Sequence, residues 1–284
     1  DNTCGFTQVA NVRLGPLANN GGPTRTHALL GGSPALNAIA VGVNGCGSMP
    51  FDQDQRNKLR PINATCDIGA YEAQLSITRD SVSPTNAGSV SWTVRFGDPV
   101  SSLTNSNFAL AIAGLGGMPA ITGVAPIGGA PSPQWTVTAS TGSGAGTLGL
   151  NMMNSTGVSP SVPEVPFTGP LYSIDTVKPA VTINQAAGQT DPTNDGPINF
   201  TVVFSKSVAG FATGDVTLSG TAGATTATVS ETAPNNGTTY NVAVTGMTAT
   251  GTVIASIAAN VASDALGNSN LASTSTDNTV QFVN

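Results

Sequence analysis

Charged and aromatic residues are scarce in this 284-residue chain. Asp, Glu, Lys and Arg together make up 8% of it, and Phe, Trp and Tyr 5%, whereas about 25% of a typical soluble protein is charged. Disordered chains are also poor in aromatic residues, but they combine this with high net charge and few β-branched residues. Here Val, Ile and Thr recur in alternating runs that favour strands. The composition therefore indicates an ordered, turn-rich, all-β protein, long enough for two or three domains.

Basic residues are few as well. The nine Lys and Arg residues are spread over the chain, whose net charge is −6, so no patch is able to neutralise several phosphates. Residues 99–163 contain no Asp, Glu, Lys or Arg, but Gly and Pro interrupt them well before the ~20 apolar residues of a membrane-spanning helix. We therefore expect no nucleic-acid partner and no direct membrane insertion.

Cysteine occurs three times, as Cys4, Cys46 and Cys66. A disulfide between Cys46 and Cys66 would close one short loop and add roughly 3 kcal/mol of stability. Cys4 would then pair outside this chain or have lost an upstream partner. The alternative is three reduced cysteines in a cytosolic protein. Because little Lys and Glu with much Thr, Asn and Gly is typical of bacterial surface proteins, we favour the disulfide and an extracellular or cell-surface location.

The chain has no recognisable signal peptide or lipid anchor. Asp1 is not a translational start, so we expect a processed or trimmed product.

Two copies of one unit occupy two thirds of the chain. The segment "SPTNAGSVSWTVRFGDPV" from Ser83 aligns with "DPTNDGPINFTVVFSKSV" from Asp191 at an offset of 108 residues, and a later segment aligns at an offset of 105. Apolar residues alternate with a period of two between turn signals. This pattern predicts two immunoglobulin-like (Ig-like) β-sandwich domains, over residues 74–172 and 173–284, with Trp92 and Phe200 in their cores.

Several motifs of the repeats resemble a known class of domain. "DTVKPAVTI", "DPTNDGPINFTVVFSKSVAGF", "GDVTLSGTAG" and "VASDALGNSN" are similar to the tandem bacterial Ig-like repeats of large secreted adhesins and surface proteins. The resemblance covers Ile174 to Phe282, and more weakly about Leu75 to Tyr172, where the acidic turn residues are missing. It implies a structural or adhesive function.

The first seventy-odd residues carry a second resemblance. "LGPLANNGGPTRTHALLGGSPALNA" and "DQDQRNKLRPINATCDIGAYE" resemble the terminal segment of a family of secreted bacterial proteins. In that family a right-handed parallel β-helix ends in these two blocks, before an outer-surface anchor or Ig-like repeats. "LLGGSPALNA" and "QRNKLRP" depart slightly from the family pattern. The resemblance implies that residues 1–73 form a short β-helix-like terminal segment ahead of the two tandem Ig-like sandwiches.

This terminal segment holds the only histidine, His27. Gly21 and Gly22 permit positive φ at a tight turn, but the Lys and Ser/Thr of a phosphate loop are missing. A zinc site or a catalytic triad needs partners that a lone histidine lacks, so we interpret His27 as structural. Likewise Asp52, Asp54 and Asp67 stand close to Arg56 and Arg60 in the sequence, which favours salt bridges over a catalytic pair of carboxylates.

Calcium is the one ligand for which the sequence offers candidates. Calcium takes six to eight oxygen ligands, and turns rich in Asp and Asn supply them. The candidate ligands are Asp175, Asp191, Asn194, Asp195, Asp264 and Asn268. The competing interpretation, which we favour, is that these residues cap turns by bonding their own backbone, since the first repeat has "SPTNAG" where the second has "DPTNDG". No other cofactor is expected.

These observations favour a non-enzymatic, structural or adhesive extracellular protein. Because the chain would begin inside the β-helix element, we expect open strand edges there to recruit another copy, head to tail, into a filament. The expected partners are therefore further copies of the chain, or cell-surface and extracellular matrix components. The alternative is a non-catalytic remnant or accessory module of a protein that binds or degrades polysaccharides. A sugar-binding sandwich is a further possibility, but aromatic platforms are scarce.

Overall fold

The computed structural model describes residues 11–30, 33–62, 65–162 and 164–284. The chain forms two compact units, Asp1–Asp175 and Thr176–Asn284. Their described residues contain strands and a single 3-10 turn at Asn105–Asn107, which confirms the all-β prediction. None of these residues belongs to a helix with the length and apolar character needed to cross a membrane. The bounds of the three predicted domains stay predictions, and Cys4 lies outside the described residues.

The terminal segment contains two small sheets, each of two antiparallel strands. The first joins β1 (Leu14–Ala18) to β2 (Thr26–Leu29), and the second joins β3 (Ile39–Ala40) to β4 (Thr65–Cys66). A disulfide connects Cys46 to Cys66, whose side chains are buried. The resemblance implied the end of a parallel β-helix. Among the described residues of this segment the strand pairs are antiparallel, so the parallel β-helix is not confirmed.

The rest of the first unit is a sandwich of two antiparallel sheets. Its strands are β5 (Leu75–Arg79), β6 (Ser89–Val100), β7 (Phe108–Gly116), β8 (Ile121–Pro126), β9 (Ser132–Ser140), β10 (Ser143–Met152) and β11 (Phe167–Asp175). The sheet orders are β5-β6-β9-β8 and β11-β10-β7. Taken in chain order as A to G, this is the ABED and CFG arrangement of a constant-type immunoglobulin sandwich.

The second unit repeats this arrangement. Its strands are β12 (Val181–Gln185), β13 (Ile198–Phe204), β14 (Val216–Ser219), β15 (Thr226–Glu231), β16 (Thr239–Thr245), β17 (Gly251–Ile257) and β18 (Thr279–Phe282). They form sheets ordered β12-β13-β16-β15 and β14-β17-β18, which is again ABED and CFG. The strand order therefore supports the Ig-like prediction for both repeats.

The sequence repeat corresponds to structurally equivalent core positions. Trp92 pairs with Val137 on the neighbouring strand, and Phe200 pairs with Val242. Trp92 and Phe200 are both fully buried, as predicted. Alternation with a period of two turns one face of each strand inward. Burying Trp92 and Phe200 therefore determines the register of the strand pairs to which they belong. The Trp92 indole donates a hydrogen bond to the carbonyl of Pro170 at 3.1 Å, which satisfies its one buried polar group.

Candidate functional site

The four buried carboxylates among the described residues all lie in the first unit. They belong to Asp54, Asp67, Glu72 and Glu164, each at most 5% exposed. We call these four residues the carboxylate cluster. Three of them come from the "DQDQRNKLRPINATCDIGAYE" block, so this motif supplies most of the buried charge. Buried carboxylates are costly unless they are paired and hydrogen-bonded, so their partners decide what the cluster does.

Asp54 forms the centre of the cluster with Arg56. The Arg56 guanidinium lies 2.7 Å from the Asp54 carboxylate, and the two side chains are 4% and 0% exposed. The same carboxylate accepts backbone N–H groups from Arg56, Lys58 and Glu72. The guanidinium also lies 3.6 Å from the centre of the Tyr71 ring, a cation–π contact. All of these bonds hold the turn that follows Asp54 in place.

Glu72 and Asp67 form the second half of the cluster. Glu72 pairs with Arg60 at 3.1 Å and accepts the backbone N–H of Asp67 at 2.9 Å. The Asp67 carboxylate accepts backbone N–H groups from Asn37 and Ala73 at 2.7 and 2.6 Å. Arg60 also donates to the carbonyls of Asp67 and Gly69. The carboxylates thus fasten the "CDIGAYE" turn. Of the aspartates for which the sequence favoured salt bridges, Asp54 pairs with Arg56, whereas Asp67 binds backbone N–H groups.

Tyr71 connects the terminal segment to the first sandwich. Its hydroxyl donates to the Glu164 carboxylate at 2.6 Å, and the backbone N–H of Gln74 reaches the same carboxylate at 3.3 Å. Burial and the charge of Glu164 raise the pKa of Tyr71 far above its ordinary value. Glu164 lies between β10 and β11 and has no motif around it. Its only signal in the sequence is that it ends the uncharged stretch of residues 99–163.

The two motif blocks of the terminal segment contact each other directly. Gly22 has a φ of +81°, and a Cβ there would lie 2.9 Å from the carbonyl oxygen of Gln55 and 3.1 Å from the Arg56 Cα. The Gln55 amide donates to the hydroxyl and the carbonyl of Thr24. Gly22 is therefore needed both for its backbone conformation and for this close approach.

His27 has a structural role. It faces Leu17 in the β1–β2 pair, and its Nδ1 lies 2.8 Å from the carbonyl oxygen of Gly15. This bond joins the two strands, which agrees with the structural interpretation. Among the described residues, no group of three or more His, Cys, Asp or Glu side chains is placed to hold a metal ion.

The six calcium candidates do not form one cluster. Asp191, Asn194 and Asp195 precede β13, whereas Asp264 accepts a hydrogen bond from Lys206, which follows the end of β13. A strand of seven residues separates these two turns by about 20 Å. Asp175 belongs to the first unit.

Turn capping accounts for the local bonds of Asp264 and Asn268, whereas Asp191 bonds to a strand far along the chain. Asp264 accepts the backbone N–H groups of Leu266 and Asn268 at 3.0 and 2.9 Å, and the Asn268 amide at 3.0 Å. Partial burial works to raise the pKa of Asp264, but these hydrogen bonds and that from Lys206 outweigh it and hold the pKa below its ordinary value. Asp191 accepts the backbone N–H of Gln281 at 2.9 Å.

Calcium binding at either turn stays a prediction, with a direct test. If calcium binds the folded second unit, its melting temperature rises as calcium is added, because the ligand stabilises the state that it binds. Differential scanning calorimetry with calcium, and with magnesium as the control, measures this. A melting temperature that does not change with added calcium would remove the proposal.

The carboxylate cluster predicts a pH dependence of stability. Burial raises the pKa of Glu72 to about 7, against the lowering effect of Arg60 and of the Asp67 N–H; burial also raises the pKa of Asp67. A carboxyl with a higher pKa in the folded chain binds its proton more tightly there, so its stabilisation is present at low pH and is lost as the pH rises through about 7. We expect the melting temperature of the first unit to fall between about pH 5 and pH 8.

Tryptophan fluorescence measures this effect selectively, because both tryptophans, Trp92 and Trp135, lie in the first unit. The Glu72→Gln variant is the control, since its side chain does not titrate, and its melting temperature should vary less over the same interval. A wild-type melting temperature that rises from about pH 5 to pH 8 would contradict the prediction.

In comparisons with known proteins, the chain shows only a distant similarity to solved structures. No protein-family model matches the chain, and no curated protein matches it. Among solved structures the chain is similar to FdeC, an Escherichia coli adhesin, with 16% identity over 74% of this chain and 63% of that one, and a TM-score of 0.38. It is also similar to domains 4–9 of the surface layer protein SbsC, with 15% identity over 76% of this chain and 32% of that one, and a TM-score of 0.19. Similarity at this level carries no argument about function.

Proposed function

We propose that the chain is a non-enzymatic extracellular surface protein with a structural or adhesive role. The observation that carries this proposal is that the side chains of the carboxylate cluster are engaged in structural contacts. Each of its four acids binds an arginine, a tyrosine hydroxyl or backbone N–H groups that hold turns in place. Acid–base catalysis on a polysaccharide needs carboxylates that reach the substrate. Here these groups reinforce the fold that carries two tandem Ig-like sandwiches.

The disulfide supports a location outside the cytoplasm. Disulfides persist in oxidising compartments and are rare in the cytosol, and the Cys46–Cys66 bond closes a loop over 20 residues of sequence. A chain with 8% charged residues and a net charge of −6 also lacks the basic surface that nucleic acid requires. We place the protein on the cell surface or in the extracellular space.

Self-assembly is the finer part of the proposal. The sheet of β1 and β2 has two strands, so both have an outer edge without a partner among the described residues. Val12, Leu14, Leu17 and Ile68 are 39–55% exposed and line a groove of about 410 Å³ beside this sheet. An open edge beside exposed apolar side chains favours strand addition. We propose that the terminal segment joins a further copy head to tail through strand pairing.

Two measurements test the proposed function. The immobilised chain should bind extracellular matrix proteins or surface glycans in an array, and the soluble chain should form elongated assemblies in negative-stain electron microscopy. The Leu17→Lys variant should weaken assembly, whereas Val203→Lys, at a comparably exposed position of β13, should not. Release of oligosaccharides from polysaccharides by the purified chain would overturn the non-enzymatic assignment, and an absence of both binding and assembly would overturn the structural one.

A further inference from the structure

The strand edges of the first sandwich are not equally protected. A strand at the edge of a sheet presents free N–H and C=O groups, and natural proteins block such edges with short strands, charges, prolines or bulges. On one side of this sandwich β5 and β11 lie against each other, since Arg79 donates to the carbonyl of Leu171 at 2.7 Å and a bridge joins Thr85 to Ile174. On the other side β8 has an irregularity between Ile121 and Gly123 and ends at Pro126.

The exception is β7. It pairs with β10 without interruption from Phe108 to Ala113, before a bulge at Gly114. No strand in the described part of the chain pairs with its other side. The uninterrupted stretch "FALAIA" contains no charge and no proline, and it lies within the 65 residues from Pro99 to Pro163 that contain no Asp, Glu, Lys or Arg.

The hydrophobic core extends to this edge and is not covered there. Leu110 and Ile112 stand opposite Leu150 and Leu148, so all four side chains point to the same face of the sheet. Leu148 and Leu150 are fully buried, whereas Ile112 is 46% exposed. Since β7 is the last strand of its sheet, one further strand along it would cover Ile112.

The second repeat provides an internal comparison. Leu110 pairs with Leu150 in the first sandwich, and Leu218 pairs with Ala255 at the equivalent place in the second. The equivalent strand β14 is only four residues long. It is preceded by Asp215 and followed by Gly220, which has a φ of +104°. The second repeat therefore has the protective features of an edge strand, and β7 does not.

We propose that the Phe108–Ala113 edge of β7 is a self-association site, at which two copies of the chain pair antiparallel about a two-fold axis. An antiparallel edge is complementary to itself, because a two-fold rotation places the N–H and C=O groups of one strand opposite those of its copy. Neither β7 nor its neighbour β10 contains a charged residue, so pairing two copies of β7 brings no like charges of these strands together, although each chain carries a net charge of −6. This inference rests on the proposed structural role and names a second, lateral contact between copies.

Ala111 is the residue with which to test the site. It lies opposite Gly149, on the face of the sheet turned away from the core. A lysine there keeps its charge in solvent when the chain is a monomer. In the antiparallel pair, however, the two copies of residue 111 lie near the two-fold axis, so two lysines repel each other across it. We expect Ala111→Lys to weaken dimerisation about tenfold or more in sedimentation velocity experiments.

Two further variants make the result specific. Ser219→Lys is the matched control, because Ser219 occupies the equivalent position on β14 and faces Ile254 as Ala111 faces Gly149; it should dimerise like the wild type. Ala111→Glu should also fail to pair with itself, but a mixture with Ala111→Lys should restore the dimer, since opposite charges then meet at the axis. Calorimetry, which reports the melting of both units, confirms that each variant is folded, and Ile112→Lys replaces Ala111→Lys if that variant does not fold.

The outcomes separate this inference from the proposed function. If Ala111→Lys and the wild type sediment alike, while Leu17→Lys abolishes assembly, the β7 site is wrong and head-to-tail assembly stands. A wild type that stays monomeric at millimolar concentration overturns both proposed contacts between copies, the head-to-tail contact and the β7 contact. The adhesive role is then still tested by binding to matrix proteins or glycans. Loss of the dimer in Ala111→Lys, with recovery in the mixture with Ala111→Glu, supports the inference.

Discussion

Arg56→Ala is expected to lower the free energy of unfolding of the first unit by about 3–5 kcal/mol. The substitution leaves the Asp54 carboxylate, whose side chain is 0% exposed, without its ion pair. It also removes the cation–π contact with Tyr71 and the hydrogen bond to the carbonyl of Glu72. A buried charge that has lost its ionic partner keeps its desolvation cost, which the remaining backbone N–H groups on Asp54 offset only in part. Urea unfolding followed by tryptophan fluorescence measures the change, since both tryptophans belong to this unit.

The chain contains a matched control for this experiment. Lys58 and Asp98 form an ion pair of similar length, 2.6 Å, but their side chains are 35% and 57% exposed. Removing a solvent-exposed pair costs about 0–1 kcal/mol, so Lys58→Ala should change stability little. A loss in Arg56→Ala as small as that in Lys58→Ala would show that the buried Asp54–Arg56 ion pair does not stabilise the terminal segment.

The second large effect is expected at the equivalent core aromatics of the two repeats. Trp92→Ala and Phe200→Ala should each cost about 3–5 kcal/mol, because deleting a fully buried aromatic side chain leaves a cavity that the surrounding sheets fill only in part. Trp92 belongs to the core of the first sandwich and Phe200 to that of the second. Each substitution should therefore lower the melting temperature of its own unit.

Two measurements distinguish the units in this experiment. Calorimetry reports the melting of both. Fluorescence reports only the first, and in Trp92→Ala the buried Trp135 remains as the reporter. Phe200→Ala should lower a calorimetric transition without moving the fluorescence transition. If Phe200→Ala moves the fluorescence transition by the same amount, the assignment of the two aromatics to separate cores is wrong.

Together these expectations give the terminal segment and the sandwiches different sources of stability. The segment depends on a disulfide, ion pairs and hydrogen bonds around few apolar residues, since its own hydrophobic cluster consists of Ala28, Leu29, Ala35, Tyr71 and Ala73, packed with Leu36. The sandwiches bury continuous apolar cores between their sheets. Small elements that cannot bury enough apolar surface depend on such links. The pH dependence expected from Glu72 should therefore be confined to the first unit.

The strands, their inward faces and the equivalence of the two repeats could all be predicted from the sequence. Alternation with a period of two is encoded residue by residue, and burying one face of a strand leaves a single register. The roles of Trp92, Phe200 and His27, and the ion pair between Asp54 and Arg56, followed from such local patterns or from which residue types were absent. The disulfide between Cys46 and Cys66 could be expected from two cysteines that close one short loop.

Only the tertiary structure decided the remaining contacts. Tyr71 meets Glu164 across 93 residues of sequence, and no local pattern specifies a partner at that distance. The six proposed calcium ligands are all Asp or Asn residues, which is why the sequence suggested them together. In the structure, however, strand β13 separates two of the turns that contain them. The parallel β-helix rested on a resemblance, and the described strand pairs of the segment are antiparallel. The open edge of β7 is likewise a property of sheet order, because which strand ends a sheet depends on how distant segments pack and not on the residues of that strand.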